Sequence, residues 1–168
     1  MADPLSIIVG TVGLLDVCWR VGGYLKDVEG SAGKVDKEIA ALSREITSLI
    51  SLNKSIQEVK EAADKAVLGT SIDNEPLVKQ LWKEVDTNIE GCRATVEKLE
   101  ELLKEIIGKN GPNVVNKLDG IRKQVRRQSK DGGLAQIHYR LSKYQASLQT
   151  VLAALNVGVK RFNNSCQP

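Results

Sequence analysis

The chain has 168 residues, enough for one domain with one core. Hydrophobic residues make up 42% and charged residues 27%, an ordinary soluble balance, while aromatics at 4% exclude anything but a mainly aliphatic core. The net charge of +3 conceals a division: residues 1–107 carry 13 Lys+Arg against 19 Asp+Glu, and residues 108–168 carry 11 against 2. A basic C-terminal third suits an anionic partner, either lipid headgroups or nucleic acid. Cys18, Cys92 and Cys166 form an odd, widely spaced set without metal-ligand spacing, and read as reduced thiols of an intracellular protein.

The chain opens on its most unusual stretch, DPLSIIVGTVGLLDVCWRVGGYLKDV over residues 3–28. Asp3 is a good N-cap and Pro4 fits a first helical turn. Leu5, Ile7, Ile8, Val9, Val12, Leu14 and Leu15 surround Ser6, Gly10, Thr11 and Gly13 with no charge among them. A helix apolar on nearly all sides is buried in protein or meets lipid. A simple membrane span needs ~20 apolar residues, and Asp16 and Arg20 would each cost roughly 2.5–3.5 kcal/mol at a bilayer centre. Their spacing lets them pair along the helix. A secretory signal is discounted, because Asp3 replaces the basic n-region and no clean cleavage site follows. Ser6, Gly10 and Gly13 make a stripe of small residues that permits close helix–helix approach, in lipid or in water.

Gly30, Ser31 and Gly33 predict the end of this helix. GSAGK is not a phosphate loop, since two residues rather than four separate its glycines and Val35 follows its lysine. A second helix is predicted from Lys34 to Val67 on the seam Val35, Ile39, Leu42, Ile46, Leu49 and Ile56. Asn53 occupies a seam position, either as a buried register-setting amide or as a partly wet site. A third helix runs from Glu75-Pro76 to about Ile107 on Leu77, Leu81, Val85, Ile89, Cys92, Val96, Leu99, Leu103 and Ile106. Glu97, Glu100, Glu101 and Glu105 read as a solvated face. After Gly108 to Pro112, a fourth helix spans Asn113 to Ser129 with Val114, Leu118, Ile121 and Val125 inward. A fifth runs from Leu134 to Phe162 through Ile137, Leu141, Tyr144, Leu148, Val151, Leu155 and Val159. The expectation is an all-α fold: an antiparallel four-helix bundle over residues 34–163, plus the apolar N-terminal helix of residues 1–28 packed in or against it.

No catalytic constellation is evident. The single histidine, His138, lies beside a seam residue and lacks the partners of a triad or a metal site. The chain is read as a non-enzyme without cofactor or metal. Lys117, Arg122, Lys123, Arg126, Arg127 and Lys130 make the fourth helix basic. It has no aromatic to stack a base and no nucleic-acid-binding signature around it, and a short basic helix serves the phosphate of anionic lipid just as well as that of nucleic acid; a merely solvated basic face is the other reading.

ADPLSI (2–7), GTVGLLDVCWRVGGYLKDV (10–28) and EIAALSREITSL (38–49) resemble the fungal HeLo-like N-terminal domain, as do VVNKLDGIRKQVRRQSKDG and IHYRLSKYQASLQTVLAAL (137–155). The likeness spans essentially the whole chain, and its N-terminal block is the more specific part. The resemblance implies a cell-death execution domain related to the helical bundle of the necroptosis executioner, mixed lineage kinase domain-like protein. It implies a cytoplasmic resting form and homo-oligomerisation on activation. Membrane permeabilisation at the plasma membrane then follows, through the N-terminal helix. An upstream NOD-like receptor or amyloid signalling partner is also implied. Neither a NACHT module nor an amyloid-forming repeat is visible, so the regulatory region is expected outside these residues. The alternative is a soluble signalling adaptor acting through protein contacts only.

Overall fold

The computed structural model describes residues 4–32, 37–67, 76–108 and 114–165. These residues form five helices, and no strand occurs among them: α1 (Pro4–Ala32), α2 (Lys37–Val67), α3 (Pro76–Gly108), α4 (Val114–Lys130) and α5 (Gly133–Ser165). The protein is all-α, as periodicity predicts. Helix ends fall where local chemistry places them. Pro4 and Pro76 each occupy a first helical position, where the missing N–H is not needed. Glu38 lies in the first turn of α2, against the positive end of the helix dipole. Gly132, at φ +74°, lets the backbone leave α4 and enter α5 within two residues, while the Asp131 N–H donates to the Arg127 carbonyl at 2.9 Å. Gly30 and Ser31 do not end the first helix as expected. It continues to Ala32, because single glycines weaken a helix without stopping it.

The main packing pairs are α1 with α2 and α3, and α5 with α2 and α3; the shorter α4 leans on α1, α3 and α5. The N-terminal helix is thus no appendage: it has two long neighbours, as α5 does. α1 and α3 lie side by side in parallel. Gly10 faces Ile89, Gly13 faces Arg93, Arg20 meets Glu100 and Tyr24 meets Lys104, both numbers rising together. α3 and α5 are antiparallel, with Gly91 against Tyr144 and Leu102 against Gly133. α1 and α3 are not successive in the chain, so their parallel contact is compatible with short connections that set each helix antiparallel to the next.

The seams fill one continuous core of aliphatic side chains. Ile39, Leu42, Ile46, Leu49 and Ile56 of α2 are buried, as are Ile121 and Val125 of α4 and Leu134, Ile137, Leu141, Leu148, Val151 and Leu155 of α5. One seam slips. Leu77 is exposed and Leu81 half-buried, while Val78 and Trp82 turn inward in their place. A straight helix drifts about 20° per heptad against a strict 3.5-residue repeat, so by its first turn α3 buries the adjacent positions. Asp3, Val35, Cys166 and the side chains of Val114, Leu118, Val159 and Phe162 lie outside the described residues.

Candidate functional site

α1 has two apolar faces with different surroundings. Ile7, Leu14, Val17, Cys18, Val21, Leu25 and Val28 are buried in the core. Ile8, Val9, Val12 and Trp19 are exposed, and Leu15 lies between the two sets. The residues expected to meet a membrane therefore divide: Ile7 and Leu14 are core, whereas Ile8, Val9 and Val12 face outward. Trp19 was not singled out from the sequence. It falls on the outward face with Ile8 and Val12 by helical spacing, a signal hidden by the apolar character of the whole stretch. Leu5 and Ser6 have side chains outside the described residues.

The small-residue stripe has a structural use. A Cβ on Gly10 would stand 3.2 Å from Cγ2 of Ile89, and one on Gly13 would stand 3.4 Å from the Arg93 guanidinium. Both glycines face α3, so they let two parallel backbones approach within this chain.

Asp16 and Arg20 pair along α1 as expected, and the link extends to Glu100, one of the acids expected on a solvated face. Arg20 donates from Nε and Nη2 to the two oxygens of Glu100, at 3.1 and 3.2 Å. Lys104 reaches the same carboxylate at 2.8 Å and lies over the Tyr24 ring, 5.8 Å from its centroid. Glu100 is buried, correcting the reading of α3's acids as uniformly solvated. The bonds from Arg20, then those from Lys104, hold its carboxyl below the ordinary 4.5. Together these groups make a polar clasp between α1 and α3. A lone arginine inside an apolar helix was the signal that a buried carboxylate awaited it.

On the side of α1 facing α2, Gln57 donates to the buried Thr11 hydroxyl at 3.2 Å. Nearby in sequence, Asn53 is fully buried, and among the described residues neither of its side-chain polar atoms has a hydrogen-bond partner. Of the two readings, the buried seam amide holds. Burial pushes the thiols of Cys18 and Cys92 up to about 12, so at neutral pH both are small apolar fillers. His138 faces Glu45 at 3.3 Å, and Ser142 donates to the same carboxylate at 2.7 Å. These are ties between α2 and α5 at the rim of the core.

On α4, Lys123, Arg126, Arg127 and Lys130 are exposed, while Ile121 and Val125 turn inward. Arg127 approaches Asp131 only to 3.8 Å. The side chains of Lys117 and Arg122 lie outside the described residues. Among the described residues no group of three or more His, Cys, Asp or Glu could hold a metal ion. The structure thus brings together an apolar outward face on α1, a clasp holding that helix to α3, and a cationic helix packed beside it. Comparison with family models, curated proteins and solved structures finds no match for this chain.

Proposed function

We propose that this chain is a non-enzymatic, membrane-permeabilising effector domain of regulated cell death, as its likeness to the HeLo-like family implies. In this reading α1, α2, α3 and α5 form a four-helix bundle at rest in the cytoplasm, and activation by an upstream receptor or amyloid partner frees α1. The freed helices gather as an oligomer and enter the plasma membrane, which α4's cations select for its anionic lipids. The observation that carries the reading is α1 itself. Ile7–Glu29 is long and apolar enough to cross a membrane, yet only a third of its apolar window is buried in the domain. A core helix passes the same length test, but a core helix does not ordinarily leave Val9, Val12 and Trp19 in water.

The second reading is a soluble adaptor acting through protein contacts. It is favoured by the depth at which Cys18, Val21, Leu25 and Val28 are seated, with no exposure at all. The deciding measurement is release of entrapped dye from anionic vesicles by the purified chain. Release that scales with protein and with anionic lipid supports the effector. Vesicles left sealed under conditions where the protein oligomerises would assign the adaptor role.

A further inference from the structure

We infer that the folded domain docks on an anionic lipid surface through the outward stripe of α1 while that helix is still in place. The inference rests on the lipid partner proposed above, but not on permeabilisation. Among the described residues, seven large hydrophobic side chains are exposed, and four of them stand on this one helix: Ile8 at 41%, Val9 at 68%, Val12 at 55% and Trp19 at 64%. Scattered exposed hydrophobics need no explanation, but a clustered row does. Ile8, Val12 and Trp19 recur at steps of four and seven, so they share a face opposite the buried row of Leu14, Val21 and Leu25. The one charge within the stripe, Asp16, is paired with Arg20.

The shape and flanks of the stripe choose its occupant. Its exposed side chains stand on a single helix, and a bilayer interface receives such a row without needing a partner of matching shape. Tryptophan is suited to that interface, with an apolar body and a polar N–H that remains wet. α4 packs against α1 and presents the exposed cations Lys123, Arg126, Arg127 and Lys130. An anionic surface complements that charge, at roughly fivefold in partitioning per cation near the membrane. The arrangement is that of an interfacial helix lying in the headgroup region, with the rest of the domain still folded behind it.

The two tryptophans make the test direct, because Trp82 is buried at 6% exposure. The Trp82→Phe variant leaves Trp19 as its only indole. It is titrated with vesicles of phosphatidylcholine alone, and with phosphatidylserine added. A blue shift of Trp19 emission on the anionic vesicles, with amide-exchange protection of α1 retained, is the expected result. Trp19→Asp or Val12→Asp should weaken partitioning by about tenfold or more, and Lys123→Glu with Arg126→Glu and Arg127→Glu should remove its salt dependence. Should Trp82→Phe fold poorly, quenching of the unaltered chain by brominated lipid reports on Trp19, the accessible indole. Vesicle binding without a Trp19 response overturns the inference. So does a shift that needs protein concentration but no vesicles, which would mark the stripe as a contact between two copies. A shift that accompanies loss of α1 protection overturns it too, since the stripe would then act only after release. Dye release in the same samples separates the two readings: docking without leakage overturns permeabilisation alone, and leakage without a Trp19 response overturns docking alone.

Discussion

At the scale of single residues, two buried polar groups have opposite consequences. Glu100 is satisfied: Arg20 and Lys104 both bond its carboxylate, and its folded pKa lies below the ordinary 4.5. A depressed carboxyl pKa contributes stability that is fully present above the unfolded value, and that is lost as pH falls from there through the folded value. Glu100→Gln should therefore lower the melting temperature at neutral pH, with the gap from the parent closing as pH falls below about 4.5. A gap that stays constant through that acid window would show that the charge of Glu100 contributes nothing. Asn53 is the reverse case, since its buried amide has no partner among the described residues at either polar atom. An unsatisfied buried polar group costs ~1–3 kcal/mol, and leucine has a similar size without that cost. Asn53→Leu should raise the melting temperature by about 2–4 °C for each kcal/mol gained. A lower melting temperature would mean that the amide contributes more to the seam than its burial costs.

At the scale of elements, α1 and α3 are held close by what α1 lacks. Close parallel packing works because Gly10 and Gly13 present no side chain to α3, and the two positions are not equivalent. Gly10 meets Ile89, which is buried, whereas Gly13 meets the end of Arg93, which is exposed and can swing away. Overpacking a core contact costs ~1–3 kcal/mol, so Gly10→Leu should lower the melting temperature clearly and Gly13→Leu much less. Equal effects would remove the distinction, and a stabilising Gly10→Leu would show that helix propensity outweighs the contact. This pair also shows how far the sequence could be read. The stripe was legible from spacing, and so were the elements and most seam residues, because each seam has one apolar row against polar neighbours. The partner of the stripe was not, since small residues permit approach by any helix. Nor could periodicity divide α1 into its two faces: with Ile7, Ile8, Val9, Val12, Leu14 and Leu15 all apolar, only the position of α2 and α3 decides which are buried. Glu100 was hidden for the related reason that an acid among acids announces nothing until its arginine is known.

At the scale of the whole molecule, the question is what it takes for α1 to leave. Ile7, Leu14, Val17, Val21, Leu25 and Val28 are each at most 3% exposed. Returning such side chains to water costs ~1.5–3 kcal/mol each, so release into buffer costs on the order of 10 kcal/mol before the clasp is counted. That is comparable to the entire stability of an ordinary domain, ~5–15 kcal/mol. Spontaneous release in water is thus equivalent to unfolding, and under the proposed function a membrane would matter because it takes up the same apolar surface. The faces of α2 and α3 that α1 covers would still need cover, so the proposed function requires release and oligomerisation to be coupled. Deleting residues 1–22 tests this directly. The deletion removes Ile7, Leu14, Val17, Cys18 and Val21 from the core and Arg20 from Glu100. The shortened chain should lose cooperative thermal unfolding and expose apolar surface to a dye such as ANS, with helical signal partly retained, as in a molten state. If it instead unfolds cooperatively at the temperature of the full chain, α1 contributes little to the core. The cost of release would then vanish, and with it the argument that lipid is needed to draw the helix out.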